Sequence, residues 1–288
     1  MNYVSLIIDI EKSRNYRNDD RNEIQNYMVY CIDRLNDLFR ENMQYTITFS
    51  AGDELQGLFY DVTTAVMYFR LLEILVKPVK LRAGIGVGEW TVKINNGLST
   101  QQDGPVYHRA RNAIKEVYEK QFHNIRIYSD KDDVLANHLM NASNTLKNQQ
   151  IYMQNIVLVI LELLSPFVKN QMKLERYEII KDLLETKFQY KIGRQYPFSA
   201  VGSKRLYREN EAQKLNFSEE LCIKPIYIDG KIQEAEDYIF TKNITSDIAQ
   251  ILNCSRQNVD SIIRRGDSNK IRELDYIALQ YIEKIYGE

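Results

Sequence analysis

Cysteine is scarce: Cys31, Cys222 and Cys254 are the only three in 288 residues. They are odd in number, far apart and without metal-ligand spacing. That argues against a disulfide scaffold or a thiolate metal site, and the expectation is reduced thiols in a cytoplasmic protein. Charge of one sign is missing too. With 38 Lys and Arg against 39 Asp and Glu, the formal net charge is -1, so no global field draws the molecule to nucleic acid. Any such binding has to come from a local patch. Long apolar runs are also lacking. The longest, Ile156 to Leu164, is broken by Glu162 and ended by Pro166. It is too short to span a bilayer, so it reads as a buried helix and no membrane partner is expected. The first ten residues, MNYVSLIIDI, have no basic start and carry Asp9 inside the apolar run, unlike a signal peptide. What is present is an ordinary globular balance, 44% hydrophobic and 27% charged, which sets disorder aside.

The length suggests two or three domains. Tyr3 to Ile10 predicts a central strand, followed by a polar turn and a helix from about Arg21 to Arg40. In that helix Ile24, Tyr27, Met28, Cys31, Leu35 and Leu38 recur at three- and four-residue spacing and form one buried face. Tyr45 to Phe49 and Leu55 to Tyr60 read as the arms of a β-hairpin with Ser50-Ala51-Gly52-Asp53-Glu54 at its tip. A helix over Asp61 to Leu75, a strand over Leu81 to Val87, a helix after Gly104 and a strand over Ile125 to Tyr128 follow. This order predicts an α+β layer with helices on one face of a mainly antiparallel sheet, over residues 1–133. A helical region, 134–237, is expected next, with helices over Ile151 to Leu164 and Lys173 to Thr186. A C-terminal helical domain is expected over 238–288.

Asp9 sits at the end of the first strand, and Asp53 and Glu54 sit in the hairpin tip. A carboxylate in a run such as L-I-I-D-I is costly to bury without a partner. If the hairpin lies beside the first strand, the three acids converge. Hard oxygen ligands in that number suit Mg2+ or Mn2+, which in turn bind a nucleoside triphosphate. Gly84, Gly86 and Gly88 are read first as sites of close strand–helix packing or of a bulge.

Ala51-Gly52-Asp53-Glu54-Leu55 resembles the signature hairpin of diguanylate cyclases, the GGDEF palm domains. Leu6 to Ile10 and Leu81 to Glu89 resemble strands of class III nucleotidyl cyclases. Asp9-Ile10 with Ser13-Arg14, Asp20-Arg21 with Gln25, Gly52 to Gly57, and Asp103-Gly104-Pro105 with Ala110-Arg111 are similar to the SatD family of bacterial proteins. The resemblance covers roughly residues 1–120. It implies a ferredoxin-like nucleotide-cyclase or palm fold with Asp9, Asp53 and Glu54 as metal ligands. Ser13, Arg14, Gly52, Arg82 and Arg109 would then contact nucleotide, the guanidinium groups taking phosphate oxygens bidentately, and a homodimer is implied. Phe49 stands where active cyclases carry a base-reading Lys, His108 falls where they carry Asn, and Arg111 matches their transition-state arginine only one residue out of register. The metal carboxylates are kept while the base-reading and transition-state positions are changed. Nucleotide binding or an altered reaction is therefore expected over ordinary adenylyl cyclase chemistry. Should the domain catalyse, the reaction would be phosphoryl transfer with Asp9, Asp53 and Arg111 as catalytic residues.

Ser246 to Arg265 predicts a helix-turn-helix. Ile248, Leu252, Val259 and Ile262 are spaced to meet in one core, Ala249 allows a close helix crossing, Asn253 suits the tight turn, and Ser255 can cap the second helix. Ser255, Arg256, Gln257, Asn258 and Ser261 would face bases and phosphates of double-stranded DNA. Arg264, Arg265, Lys270 and Arg272 would add positive charge. A helical hairpin used only for packing is the plainer alternative. Lys191 to Leu206 aligns with this unit as a degenerate copy or a basic loop. The expectation for the whole is a DNA-binding regulator coupled to a Mg2+-dependent domain that binds a nucleoside triphosphate or cyclic nucleotide; the alternative is a nucleotidyl cyclase or related nucleotidyltransferase.

Overall fold

The computed structural model describes residues 2–13, 18–50, 52, 54–95, 97–120, 123–169, 172, 179–189, 215–217, 223–234 and 243–287. The possible copy at 191–206 lies outside these residues, as do Cys222 and the start of the helix expected from Lys173.

The first half alternates as its sequence pattern predicts. Strand β1 (Tyr3–Ile10) leads to helix α1 (Asn18–Leu38), the hairpin of β2 (Met43–Phe49) and β3 (Glu54–Phe59), helix α2 (Val62–Val76), β4 (Leu81–Gly88), α3 (Pro105–Glu119) and β5 (Ile125–Tyr128). The five strands lie in the order β2-β3-β1-β4-β5. All neighbours are antiparallel except β4 and β5. This is a mixed α+β layer, and its first six elements follow a βαββαβ order. The six apolar residues of α1 singled out by spacing are all buried. Asp61 caps α2 by accepting from the Thr64 backbone N–H at 2.9 Å.

Period-2 alternation along β1 splits its residues between two faces. Val4, Leu6, Ile8 and Ile10 join the main core with α1 and α2, whereas Ile7 packs on Ala110 and Ile114 of α3. The helices therefore do not share one face, as the sequence had suggested: α3 crosses the opposite side. The cause is in β4. A Cβ on Gly84 would lie 2.3 Å from the Ala110 carbonyl oxygen, and one on Gly86 2.1 Å from that of Val106. Two missing side chains on one face of the strand make the bed for the helix.

The rest of the described chain builds onto the α1/α2 side. Helices α4 (Val134–Met140), α5 (Asn144–Gln149) and α6 (Tyr152–Leu164) are followed by a two-residue strand, β6 (Phe167–Val168), then α7 (Ile179–Gln189). A short β7 (Ile226–Tyr227) pairs with β6. Three helices close the chain: α8 (Ile244–Ile251), α9 (Arg256–Arg265) and α10 (Ser268–Tyr286). Their apolar faces and those of α1 and α2 belong to one buried cluster. Among the described residues, no helix is long and apolar enough to cross a membrane.

At the centre of that junction lies a buried set of charges. Arg70 of α2 makes two hydrogen bonds to Glu162 of α6, at 2.5 and 2.8 Å, and one to Asp275 of α10 at 2.5 Å. Arg272 of α10 donates to Glu162 and to the Ser165 carbonyl. Lys147 of α5 lies 3.2 Å from both Asp275 and Glu73. Burial alone would push the Glu162 carboxyl up, but Arg272 and Arg70 outweigh it and hold the group below the usual carboxylate value. Asp275 is held down in the same way by Lys147 and Arg70.

Candidate functional site

Two carboxylates meet at one end of the sheet. In the β1–β3 ladder Asp9 is the direct partner of Glu54, and in the β1–β4 ladder it is the partner of Arg82. Residues directly opposite in antiparallel strands share a face, with Cβ atoms about 4.5–5.5 Å apart. Asp9 and Ile7 lie two residues apart on one strand, so Asp9 points to the side of the sheet that carries α3. Glu54 is not in the hairpin tip, as its sequence position suggested, but opens β3. Its shift by one place into the ladder sets it against Asp9.

Helix α3 supplies the groups that lean over this pair. The Tyr118 hydroxyl donates to Asp9 Oδ2 at 2.6 Å. The Arg82 guanidinium stacks on the Tyr118 ring at 4.7 Å and lies 3.4 Å from Glu11. Arg111 reaches to 3.6 Å from Glu54 Oε1 with its side chain about half exposed. The Ser50 hydroxyl donates to the same Glu54 oxygen at 2.9 Å. Arg111 and Tyr118 are seven residues apart, two helical turns, which puts them on one side of α3. Sequence reasoning named Arg111 and missed Tyr118 and Glu11. The seven-residue spacing was the available signal for Tyr118.

The remaining expected residues divide. Gly52 turns the hairpin with φ +68°, a left-handed conformation suited to glycine, and open space surrounds the position of its missing Cβ. Ser13 is buried in the turn after β1. Asp53 and Arg14 lie outside the described residues. Arg109 is not part of the pair's surroundings. It donates to the Val87 carbonyl at 2.5 Å and pairs with Asp130, at the opposite end of β4, because α3 runs antiparallel to that strand. His108 lies 3.3 Å from Asp103 on the surface. Among the described residues, no three His, Cys, Asp or Glu side chains gather where one ion could touch all of them; Asp9 and Glu54 form a pair.

In the C-terminal region, α8 and α9 are joined through Asn253, which adopts φ +48°. The Ser255 side chain accepts from the Asn258 N–H at 3.3 Å at the start of α9. Ile248, Ala249, Leu252 and Val259 are buried, and Ile263, rather than Ile262, completes the set; Ile262 packs half-buried at its rim. Ser255, Arg256, Gln257, Asn258, Arg264 and Arg265 are exposed, and Ser261 is half-buried. Arg256 lies 3.9 Å from Asp260. Arg272 is not on this surface at all: it is 1% exposed and committed to Glu162.

Comparison with known proteins gives a match to the SatD family over residues 3–192. No curated protein matches the chain. Among solved structures, one described as a bacterial light-regulated adenylyl cyclase is similar at 11% identity with a TM-score of 0.33, over 44% of this chain and 74% of that one.

Proposed function

Because the chain belongs to the SatD family, we propose that it is a regulator that binds a nucleoside triphosphate with Mg2+ or Mn2+ at the Asp9–Glu54 end of the sheet and binds duplex DNA through α9. The observation that carries the first half is the Asp9–Glu54 cross-strand pair. Like charges placed directly opposite destabilise a ladder, and a divalent cation removes the conflict. Asp9 and Glu54 would hold the ion, with Asp53 beside Glu54 in sequence as a third ligand, and the ion would neutralise phosphate charge when bound. Arg111 and Arg82 border the pair and suit phosphate oxygens.

The second half rests on α9. Its cap, the left-handed Asn253 and the exposed row Arg256, Gln257 and Asn258 support a helix that enters a groove, with Arg264 and Arg265 on backbone phosphates. Two measurements test the whole. A thermal shift with each nucleoside triphosphate plus Mg2+ should be positive for at least one and vanish in Asp9→Asn. Binding of labelled duplex DNA should fall steeply with salt and weaken in Arg264→Ala/Arg265→Ala. Absence of both signals overturns the proposal.

One observation favours an enzymatic reading as well: Arg111 stands beside Glu54, at the edge of the carboxylate pair. Catalysis would be phosphoryl transfer, with the ion, Asp9 and Asp53 positioning the triphosphate and Arg111 stabilising charge in the transition state. Incubation with each triphosphate and Mn2+, read by mass spectrometry, should then yield a product that Arg111→Ala removes.

A further inference from the structure

Between β4 and α3, residues 89–95 and 97–104 form a strap that lies across β2 and β3. Its two arms are tied by Val92 and Asp103, whose backbones exchange hydrogen bonds at 2.9 and 3.3 Å. Gln102 braces its tip from inside, bonding the Ile94 N–H and carbonyl at 2.9 and 3.0 Å. The strap is inverted relative to ordinary burial. Val92, Ile94 and Leu98 are exposed, while Ser99 and Gln102 are buried. The bond that fastens it to the sheet is polar: Gln56 Nε2 donates to the Ser99 carbonyl at 2.8 Å.

The surface beneath is polar as well. Gln56 stands opposite Thr48 in the β2–β3 ladder and opposite Ile7 in the β1–β3 ladder, which fixes both on the α3 side of the sheet. Ser5 lies on that side of β1. The hydroxyls of Ser5 and Thr48 are buried and, among the described residues, make no hydrogen bond, an arrangement that costs stability. Burial pushes the Tyr107 phenol, at the edge of this patch, up to about 12. Next to it is an aromatic wall: Trp90 packs edge-on against both Tyr3 and Tyr45, with ring centroids at 5.4 Å.

We propose that this hydroxyl- and amide-lined patch, Ser5, Thr48, Gln56 and Ser99 beside the Trp90 cluster, is a nucleobase subsite that the strap covers. The inference rests on the nucleotide reading and adds where the base sits. The lining groups named are neutral donors and acceptors, which match the edge of a base rather than a phosphate. The aromatic rings give it a stacking surface. Ser5 and Asp9 are four residues apart on one strand and share a face, so patch and carboxylate pair are separated by about 13 Å, the two ends of one nucleotide. The strap's polar underside makes way for the base, and the base satisfies the hydroxyls left without partners.

Trp90 is the only tryptophan of the chain, and its indole N–H donates to the Val92 carbonyl of the strap at 2.8 Å, so its emission reports on the strap. Full-length protein is titrated with adenosine, guanosine, cytidine and uridine in EDTA, without phosphate or metal. A saturable change in Trp90 emission is expected for at least one nucleoside. Thr48→Val, which removes a hydroxyl with no hydrogen bond among the described residues, should weaken that nucleoside at least tenfold, and so should Gln56→Leu. No saturable change with any nucleoside, or undiminished affinity in folded Thr48→Val, overturns the proposal. Triphosphate binding that needs Mg2+ and Asp9 while no nucleoside binds would sink the subsite and leave the wider reading standing. Nucleoside binding with no added response to Mg2+ and triphosphate would do the reverse.

Discussion

Acidic residues occur in this molecule in two settings that look alike in sequence and differ in every physical respect. Glu162 and Asp275 lie in the interior, and Arg70, Arg272 and Lys147 meet them with hydrogen bonds and charge. Asp9 and Glu54 lie at the end of the sheet, face one another, and draw on a phenol, a serine hydroxyl and a half-exposed arginine. The first set is closed: every acid is matched by base from another helix. The second lies at the rim of the fold, where Arg111 approaches Glu54 and Arg82 stands opposite Asp9 in the neighbouring strand. The interior set holds helices together, and the pair at the sheet edge is the one the proposed cation would address.

The comparison breaks if the two sets respond alike to neutralisation. The largest effect is expected from Glu162→Leu, which strands Arg70 and Arg272 in the interior and should cost about 3–5 kcal/mol in chemical denaturation. The double variant Glu162→Leu/Arg272→Met should cost clearly less than the sum of the two single changes, because each partner's loss is felt only while the other remains. Asp9→Asn should move the other way, gaining about 0.2–1 kcal/mol in ligand-free protein by relieving the like-charge pair, while abolishing any metal-dependent stabilisation by nucleotide. Acid sharpens the contrast. Glu162 and Asp275 are held below their ordinary values in the folded state, so their contribution is fully present above the unfolded value of about 4 and is lost as pH falls through the folded one. Wild type should lose stability there more steeply than Glu162→Leu in pH-dependent denaturation. The smallest expected effect is that of salt: 1 M NaCl should shrink the gain from Asp9→Asn and leave the cost of Glu162→Leu nearly unchanged, since exposed charges are screened and buried ones are not.

Much of the first half was legible because its signals are local. The spacing of Ile24 through Leu38 fixes the buried face of α1, and the alternation of β1 sends Asp9 to a defined side. The face chosen by α3 was not legible from its own periodicity, which is the same on either side of a sheet. The information sat in β4, as two glycines on one face. Arg272 was expected to add positive charge to a DNA-facing surface, and its partner Glu162 is 110 residues away in sequence. Ile263 took the place given to Ile262 because the one-residue offset depends on how α9 lies against its neighbours. The Asp9–Glu54 pair was half visible: both residues were named, but only the β1–β3 register shows that they stand opposite each other.

Gly84 and Gly86 set more than a contact. Helix α3 rests on bare backbone, so its depth over the sheet is fixed by the thickness of a peptide rather than by a compressible side chain. Arg111 and Tyr118 are carried on that same helix, and their reach to Glu54 and Asp9 inherits its height. A single methyl at either glycine would therefore act as a shim, raising both groups off the carboxylates together without altering one residue that touches them.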